Sequence, residues 1–295
     1  MMTYPFTTVD VFTDERFGGN PLAVVMGGEN LDTATMQAVA SEFNLSETTF
    51  VLPPANPANT ARIRIFNCTA EMAFAGHPMV GTAFALASQQ PELSHAKFEI
   101  PAGIIDVRID RQSDGQLTSV TIAAPQPLKI GDTFEPELIG RLLSLKPQDV
   151  MMASHPPIFV SSGTPYAIAE LSHDALRRCM PNLEAFRAAA AAHPEMAGCF
   201  PVHVYSREGR TLSARMFAPL AGTWEDPATG SANVPLACFL LSLEPETERA
   251  NFAIHQGVEM GRPSQLRVEA YRTADGIMAT LSGSCVPVLQ GHISL

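Results

Sequence analysis

At 295 residues the chain is long for one hydrophobic core and comfortable for two, and an apolar content of 46% can fill both. A formal net charge of −11 argues against nucleic acid, which needs a basic face, but leaves an anionic small molecule open, because oriented backbone N–H groups bind anions without formal charge. No apolar run is long enough to span a bilayer, and Met1-Met2-Thr3-Tyr4-Pro5-Phe6 has neither a basic n-region nor a signal-peptide core, so no membrane association and a cytoplasmic protein are expected.

Phe6 to Phe12 alternates like a strand, Gly18-Gly19-Asn20-Pro21 is turn chemistry, and Leu22-Ala23-Val24-Val25 reads as the return strand. Asp32 can cap a helix running through Met36, Val39, Ala40 and Phe43. Thr48 to Leu52 is a short strand stopped by Pro53-Pro54, and Arg62 to Phe66 alternates again. An apolar helix follows at Met79 to Ala87, then strands at 98–100, 104–109 and 120–122, and Pro125-Gln126-Pro127 looks like a boundary. The second half repeats the plan. A helix is expected over 138–145, strands at 158–160 and 167–169 around Ser162-Gly163-Thr164-Pro165, and helix from Asp174 to Ala192 broken near Pro181. Strands at 202–205 and 214–217 lead into a second apolar helix, Ala232 to Leu241, and further strands close the chain. Pro235 predicts a slight irregularity in that helix. Many strands around one buried helix, twice over, is an α+β plan rather than a βαβ succession.

Both apolar helices are hydrophobic on nearly every face and should be buried all round. Each begins in a turn of polar or Gly residues, Phe74-Ala75-Gly76-His77-Pro78 and Trp224-Glu225-Asp226-Pro227-Ala228-Thr229-Gly230-Ser231. A buried helix whose open N–H groups meet such a turn makes an anion site, so a substrate acid held by two similar domains is suggested. Glu47, between a helix exit and a strand start, suits a carboxyl group that takes and returns a proton if it is buried, or is a solvated helix-end charge. His77 can donate to a substrate or pass a proton, or simply cap the helix. Asp226, held out of the α region by Pro227, can orient a partner or be an Asx-type turn residue. Thr229, Gly230 and Ser231 form an anion cradle or a plain N-cap.

The five cysteines are scattered with no Cys-x-x-Cys, and the eight histidines show no ligand spacing, so neither a disulfide framework nor a metal is expected. The Rossmann glycine pattern, a phosphate-binding P-loop and a Gly-x-Ser-x-Gly elbow are all missing, which argues against a dinucleotide, a nucleotide and a hydrolase.

The motifs Val9-Asp10-Val11-Phe12-Thr13, Gly18 to Val24, Asn44 to Phe50, Ala75-Gly76-His77-Pro78, Glu225 to Ala232, Gln256-Gly257 and Met260 to Ser264 occur in an order that resembles the PhzF family, the phenazine-biosynthesis-like proteins of diaminopimelate epimerase fold. The resemblance covers nearly the whole chain. It implies two similar domains, each a strongly curved mixed sheet wrapped around a central helix, at about 1–127 and 128–283, with the last strand, about 284–295, returning to the first. It further implies an active site in the interdomain cleft, a homodimer and no cofactor. The family's acid/base carboxylate falls on Glu47, its histidine on His77 and its aspartate on Asp226, with substrate contacts at Gly76, Pro78, Thr229, Gly230 and Ser231. Related epimerases and racemases use two cysteines at the helix starts, where this chain has Ala75 and Pro227-Ala228. The run Asn67-Cys68-Thr69-Ala70-Glu71 departs from the family's Thr-Pro-x-x-Glu. The expected activity is a cofactor-independent isomerase that shifts a proton and a double bond in a small carboxylic acid. The alternatives are a non-cysteine epimerase or racemase, and an inactive small-acid binding protein.

Overall fold

A computed structural model describes residues 2–196 and 198–295, in which the chain forms two units, Met1–Ala123 with Leu281–Leu295 and Ala124–Thr280. The first unit runs β1 (Thr3–Val11), β2 (Asn20–Met26), α1 (Thr33–Phe43), β3 (Glu47–Leu52), β4 (Ala61–Phe66), β5 (Glu71–Met72), α2 (Gly76–Gln89), β6 (His95–Ile100), β7 (Gly103–Arg111) and β8 (Leu117–Ala123). The Asp32 side chain accepts from Thr35 N–H at the start of α1, and Asn44 ends that helix in the left-handed region at φ 50°.

Strand pairing mixes directions: β1–β2 is antiparallel, β2–β3 parallel, β3–β4 antiparallel, β4–β6 parallel, and β6–β7 and β7–β8 antiparallel. Helix α2 touches β1, β2 and β3 as well as β7 and β8. One helix can meet both ends of a sheet only if the sheet curves around it. The composition of α2 agrees, since Gly76 to Ala87 is buried on every side. Gly81 allows the closest approach: a Cβ there would lie 2.6 Å from Leu22 Cδ2 and 2.7 Å from Val11 Cγ2.

Side-chain alternation sorts the residues of β3. Phe50 and Leu52 join Tyr4, Val25, Met36, Val39, Ala40 and Phe66 in a core under α1. Thr49, on the opposite face, bonds Thr82 of α2 at 2.8 Å between hydroxyl oxygens. Glu47 has the parity of Thr49, so the strand directs it to the α2 side.

The second unit runs β9 (Lys129–Thr133), α3 (Pro136–Leu143), β10 (Ile158–Ser161), β11 (Pro165–Glu170), α4 (His173–Arg178), α5 (Leu183–Ala192), β12 (Val202–Glu208), β13 (Thr211–Ala218), β14 (Thr223–Asp226), α6 (Gly230–Ser242), β15 (Arg249–Gln256), β16 (Ser264–Thr273) and, at its end, β17 (Gly276–Gly283). Pro181 separates α4 from α5. Helix α6 touches β10, β11, β15 and β16 and is buried along its length. On the other sheet face, Ile139, Leu142, Leu176 and Phe186 of α3, α4 and α5 pack on Val202, Val204 and Phe217. Pro235 cannot donate to the Ser231 carbonyl four residues back, yet α6 continues through it.

The last strand, β18 (Cys285–Ser294), lies antiparallel to β1 in the first unit, from Thr3↔Ser294 to Val11↔Cys285. Among the described residues no helix is long and apolar enough to cross a membrane.

Candidate active site

In the first unit, α2 begins at Gly76, earlier than the apolar run alone suggests, with Ala75 as an extended N-cap that makes no side-chain cap bond. The first-turn N–H groups of Gly76 and His77 have no carbonyl behind them, and Pro78 has no N–H to leave unpaired. His77 is buried, and burial pushes its imidazole down to about 3. It is therefore neutral at neutral pH. Its Nδ1 lies 3.3 Å from Asn20 Nδ2, and with the carboxamide in that orientation Nδ1 accepts and Nε2 carries the proton. His77 Nε2 sits 3.2 Å from Glu47 Oε2, off the line of an aligned hydrogen bond. A neutral imidazole thus faces a carboxylate whose side chain is 14% exposed.

In the second unit, Asp226 ends β14 and is buried. Thr229 holds the N-cap position of α6 but makes no cap bond to the helix; its hydroxyl oxygen accepts instead from Gln256 Nε2 at 2.9 Å, and the hydroxyl donates to Asp226 Oδ2 at 2.5 Å. The first-turn N–H groups of Gly230 and Ser231 have no intrahelical carbonyl behind them. Ser231 Oγ lies 2.7 Å from the Tyr166 hydroxyl on β11. Gly257, at φ +75°, packs under this loop: a Cβ would come 2.6 Å from Pro227 O and 2.5 Å from Arg262 O, both backbone atoms. Gly257→Ala is expected to displace the loop and cost about 1–3 kcal/mol, read as a fall in thermal midpoint.

Glu225, next to Asp226, forms a two-pronged pair with Arg215, Nε to Oε1 at 2.7 Å and the second prong at 2.8 Å, and both side chains are at most 10% exposed. Arg215 also donates to the carbonyls of Leu176 and Cys179 at the end of α4, and lies over the Phe217 ring.

Each sequence-predicted residue thus falls at one of the two helix starts. Glu47, His77, Gly76 and Pro78 gather at α2, and Asp226, Thr229, Gly230 and Ser231 at α6. Asn20, Tyr166, Asn233 and Gln256 were not singled out from the sequence as site residues. Asn233 carried a signal, a lone carboxamide inside an apolar helix, while the others follow from strand pairing that one sequence does not display. In the departing run, Asn67 Oδ1 accepts from Thr69 and Ala70 N–H and builds the turn, Cys68 Sγ donates to Leu45 O at 3.3 Å, and Glu71 pairs with Arg64. All five cysteines are free thiols, and burial pushes Cys179 and Cys238 up to about 12.

A second buried histidine, His203, is held down to about 4 by burial. Unfolded, His77 and His203 both titrate near 6.5. Between that value and the folded ones the unfolded chain binds more protons, so the stability they confer is complete above about pH 6.5 and is lost as pH falls toward 3. The expected loss is on the order of several kcal/mol. Thermal midpoints recorded from pH 7.5 to 4 check this, and His203→Gln, which keeps a donor but does not titrate, should flatten the slope.

A mixed sheet wrapped on a buried helix is the diaminopimelate epimerase-like fold. The chain belongs to the phenazine biosynthesis-like (PhzC-PhzF) family, which matches residues 9–291, and is an isomerase of that family. A Mesorhizobium japonicum protein named as an uncharacterised isomerase is 39% identical, covering 99% of each chain. Trans-2,3-dihydro-3-hydroxyanthranilate isomerase of Pseudomonas aeruginosa is 34% identical, covering 98% of this chain and 99% of its own. The crystal structure of a Bacillus anthracis PhzF-family phenazine biosynthesis protein superposes with a TM-score of 0.88 at 23% identity, covering all of both chains, which is a likeness of fold.

Proposed function

We propose that the chain moves a proton, and with it a double bond, within one small carboxylic acid, without a cofactor and with Glu47 as the group that takes and returns the proton. The observation that carries this reading is the Glu47 carboxylate 3.2 Å from a buried neutral imidazole at an uncapped helix start. The Pseudomonas aeruginosa relative, whose name gives a hydroxylated dihydro aminobenzoic acid as substrate, supports the substrate class.

The chemistry follows from the groups. Breaking a C–H bond next to an unsaturated acid builds negative charge, and first-turn N–H groups with the helix dipole behind them stabilise that charge where it forms. His77 carries its proton on the nitrogen that faces Glu47. It can hold the carboxylate in place before abstraction and hydrogen-bond the substrate afterwards without itself becoming charged. One base serving both abstraction and return delivers the proton to the same face of the substrate. In this reading Gly230 and Ser231 hold a substrate carboxylate and Asp226 a polar substituent.

The test is a screen of small unsaturated and amino acids in heavy water. Deuterium appearing in an unsaturated acid together with a moved double bond is the expected result. Exchange at one stereocentre with no double-bond shift makes the enzyme an epimerase instead, and tight binding of an acid without exchange makes it a binding protein.

A further inference from the structure

Gln256, at the end of β15, is 1% exposed and has both amide protons and its oxygen engaged. Two backbone groups fix which way its carboxamide faces. Thr229 N–H donates to Oε1 at 3.2 Å, and Nε2 donates to the Asp226 carbonyl at 2.7 Å. A flipped amide would set donor against donor and acceptor against acceptor.

The remaining bonds then have only one direction. Nε2 gives its second proton to Thr229 Oγ1 at 2.9 Å, and Oε1 accepts from Asn233 Nδ2 at 2.7 Å. Asn233 Nδ2 gives its other proton to the Thr229 carbonyl at 3.0 Å, so Asn233 Oδ1 is the acceptor at 2.9 Å for His203 Nε2. Because Gln256 donates to the Thr229 hydroxyl, that hydroxyl keeps its own proton to give, and Asp226 Oδ2 receives it. The donors run one way from His203 through Asn233, Gln256 and Thr229 to Asp226.

We propose that Gln256 is a positioning residue that acts through the Thr229 hydroxyl to hold Asp226 Oδ2 as an acceptor, fixing the aim of the carboxylate at the start of α6. This rests on the reading that Asp226 serves the isomerisation. A residue that only pinned the loop would make the same backbone bonds, but its effect would not depend on the hydroxyl between it and Asp226.

The experiment is a double-mutant cycle in the full chain, with Gln256→Met, Thr229→Val and the pair. The readout is kcat and KM for deuterium incorporation into the compound that the heavy-water screen yields. Each single variant is expected to lower kcat about ten- to hundred-fold, as loss of a hydrogen bond to a charged group does, with KM moving far less. The pair should lose no more than the worse single variant, because both changes remove one chain of bonds. Losses that multiply, or a Gln256→Met enzyme with wild-type kcat, overturn the proposal. If Gln256→Met fails to fold, Gln256→Glu takes its place, keeping the volume and one acceptor while removing both donors.

Asp226→Asn separates the two levels. If it keeps wild-type kcat, the role given to Asp226 falls and the inference with it. If it is inactive while the Gln256 and Thr229 variants are not, only the inference falls. Independently of any substrate, the Gln256 side-chain amide protons should exchange slowly with solvent, and faster in Thr229→Val. Fast exchange in the wild type overturns the wiring.

Discussion

Replacing Glu47 by Gln is expected to lower the rate of solvent-proton incorporation by about 10²- to 10⁴-fold while leaving the fold in place. The shape and parity of the side chain are kept, so β3 still bonds α2 through Thr49 and Thr82. What disappears is the lone pair that accepts a proton. An amide also weakens the contact with His77, since the proton on Nε2 then faces a neutral oxygen acceptor in place of a carboxylate. The measurement is deuterium incorporation under saturating substrate, with the thermal midpoint recorded alongside. A variant that keeps wild-type turnover and a wild-type midpoint removes Glu47 from the base role.

Arg215→Met should destabilise the second unit by about 3–5 kcal/mol, because it leaves the Glu225 carboxylate buried without its partner. The carbonyls of Leu176 and Cys179 at the end of α4 lose their donor in the same step. Changing both partners, Arg215→Met with Glu225→Met, is expected to recover much of the loss, since an apolar pair leaves no unpaired charge. Denaturant unfolding of the two variants against the wild type decides it. Equal loss in the single and double variants would show that the carbonyl contacts, not the ion pair, dominate. Because Glu225 precedes Asp226, the single variant should also reduce turnover in whatever fraction remains folded.

Much of this arrangement was legible in the sequence, for identifiable reasons. A helix that is apolar on all faces has only one stable location, so Met79 to Ala87 and Ala232 to Leu241 announced buried helices from composition alone. Asp32 announced a helix start through a local bond, and Pro181 the break between α4 and α5. Glu47, His77 and Asp226 were candidates from the residues alone, each beside an ordinary structural alternative, and the resemblance decided between the two. The parallel pairings β2–β3 and β4–β6 were not legible, because register between distant strands leaves no mark on either strand by itself. The roles of Asn20 and Gln256 were hidden for that reason, since their partners are brought to them by the sheet. Thr229 was read as part of an anion cradle or as a plain N-cap, and it stands at the N-cap of α6. It has a capping residue's sequence position, but its hydroxyl is claimed by Asp226.

The pairing of β18 with β1 has a consequence for synthesis. As the nascent chain leaves the ribosome, Thr3–Val11 emerges before the whole continuous stretch Ala124–Thr280, and its partner strand after it. The later unit can close on itself while the earlier one still waits with an unpaired edge, reversing the usual N-terminal-first order. A message truncated just before Cys285 would release a chain with that edge permanently open, a template for aggregation rather than a slightly shortened enzyme.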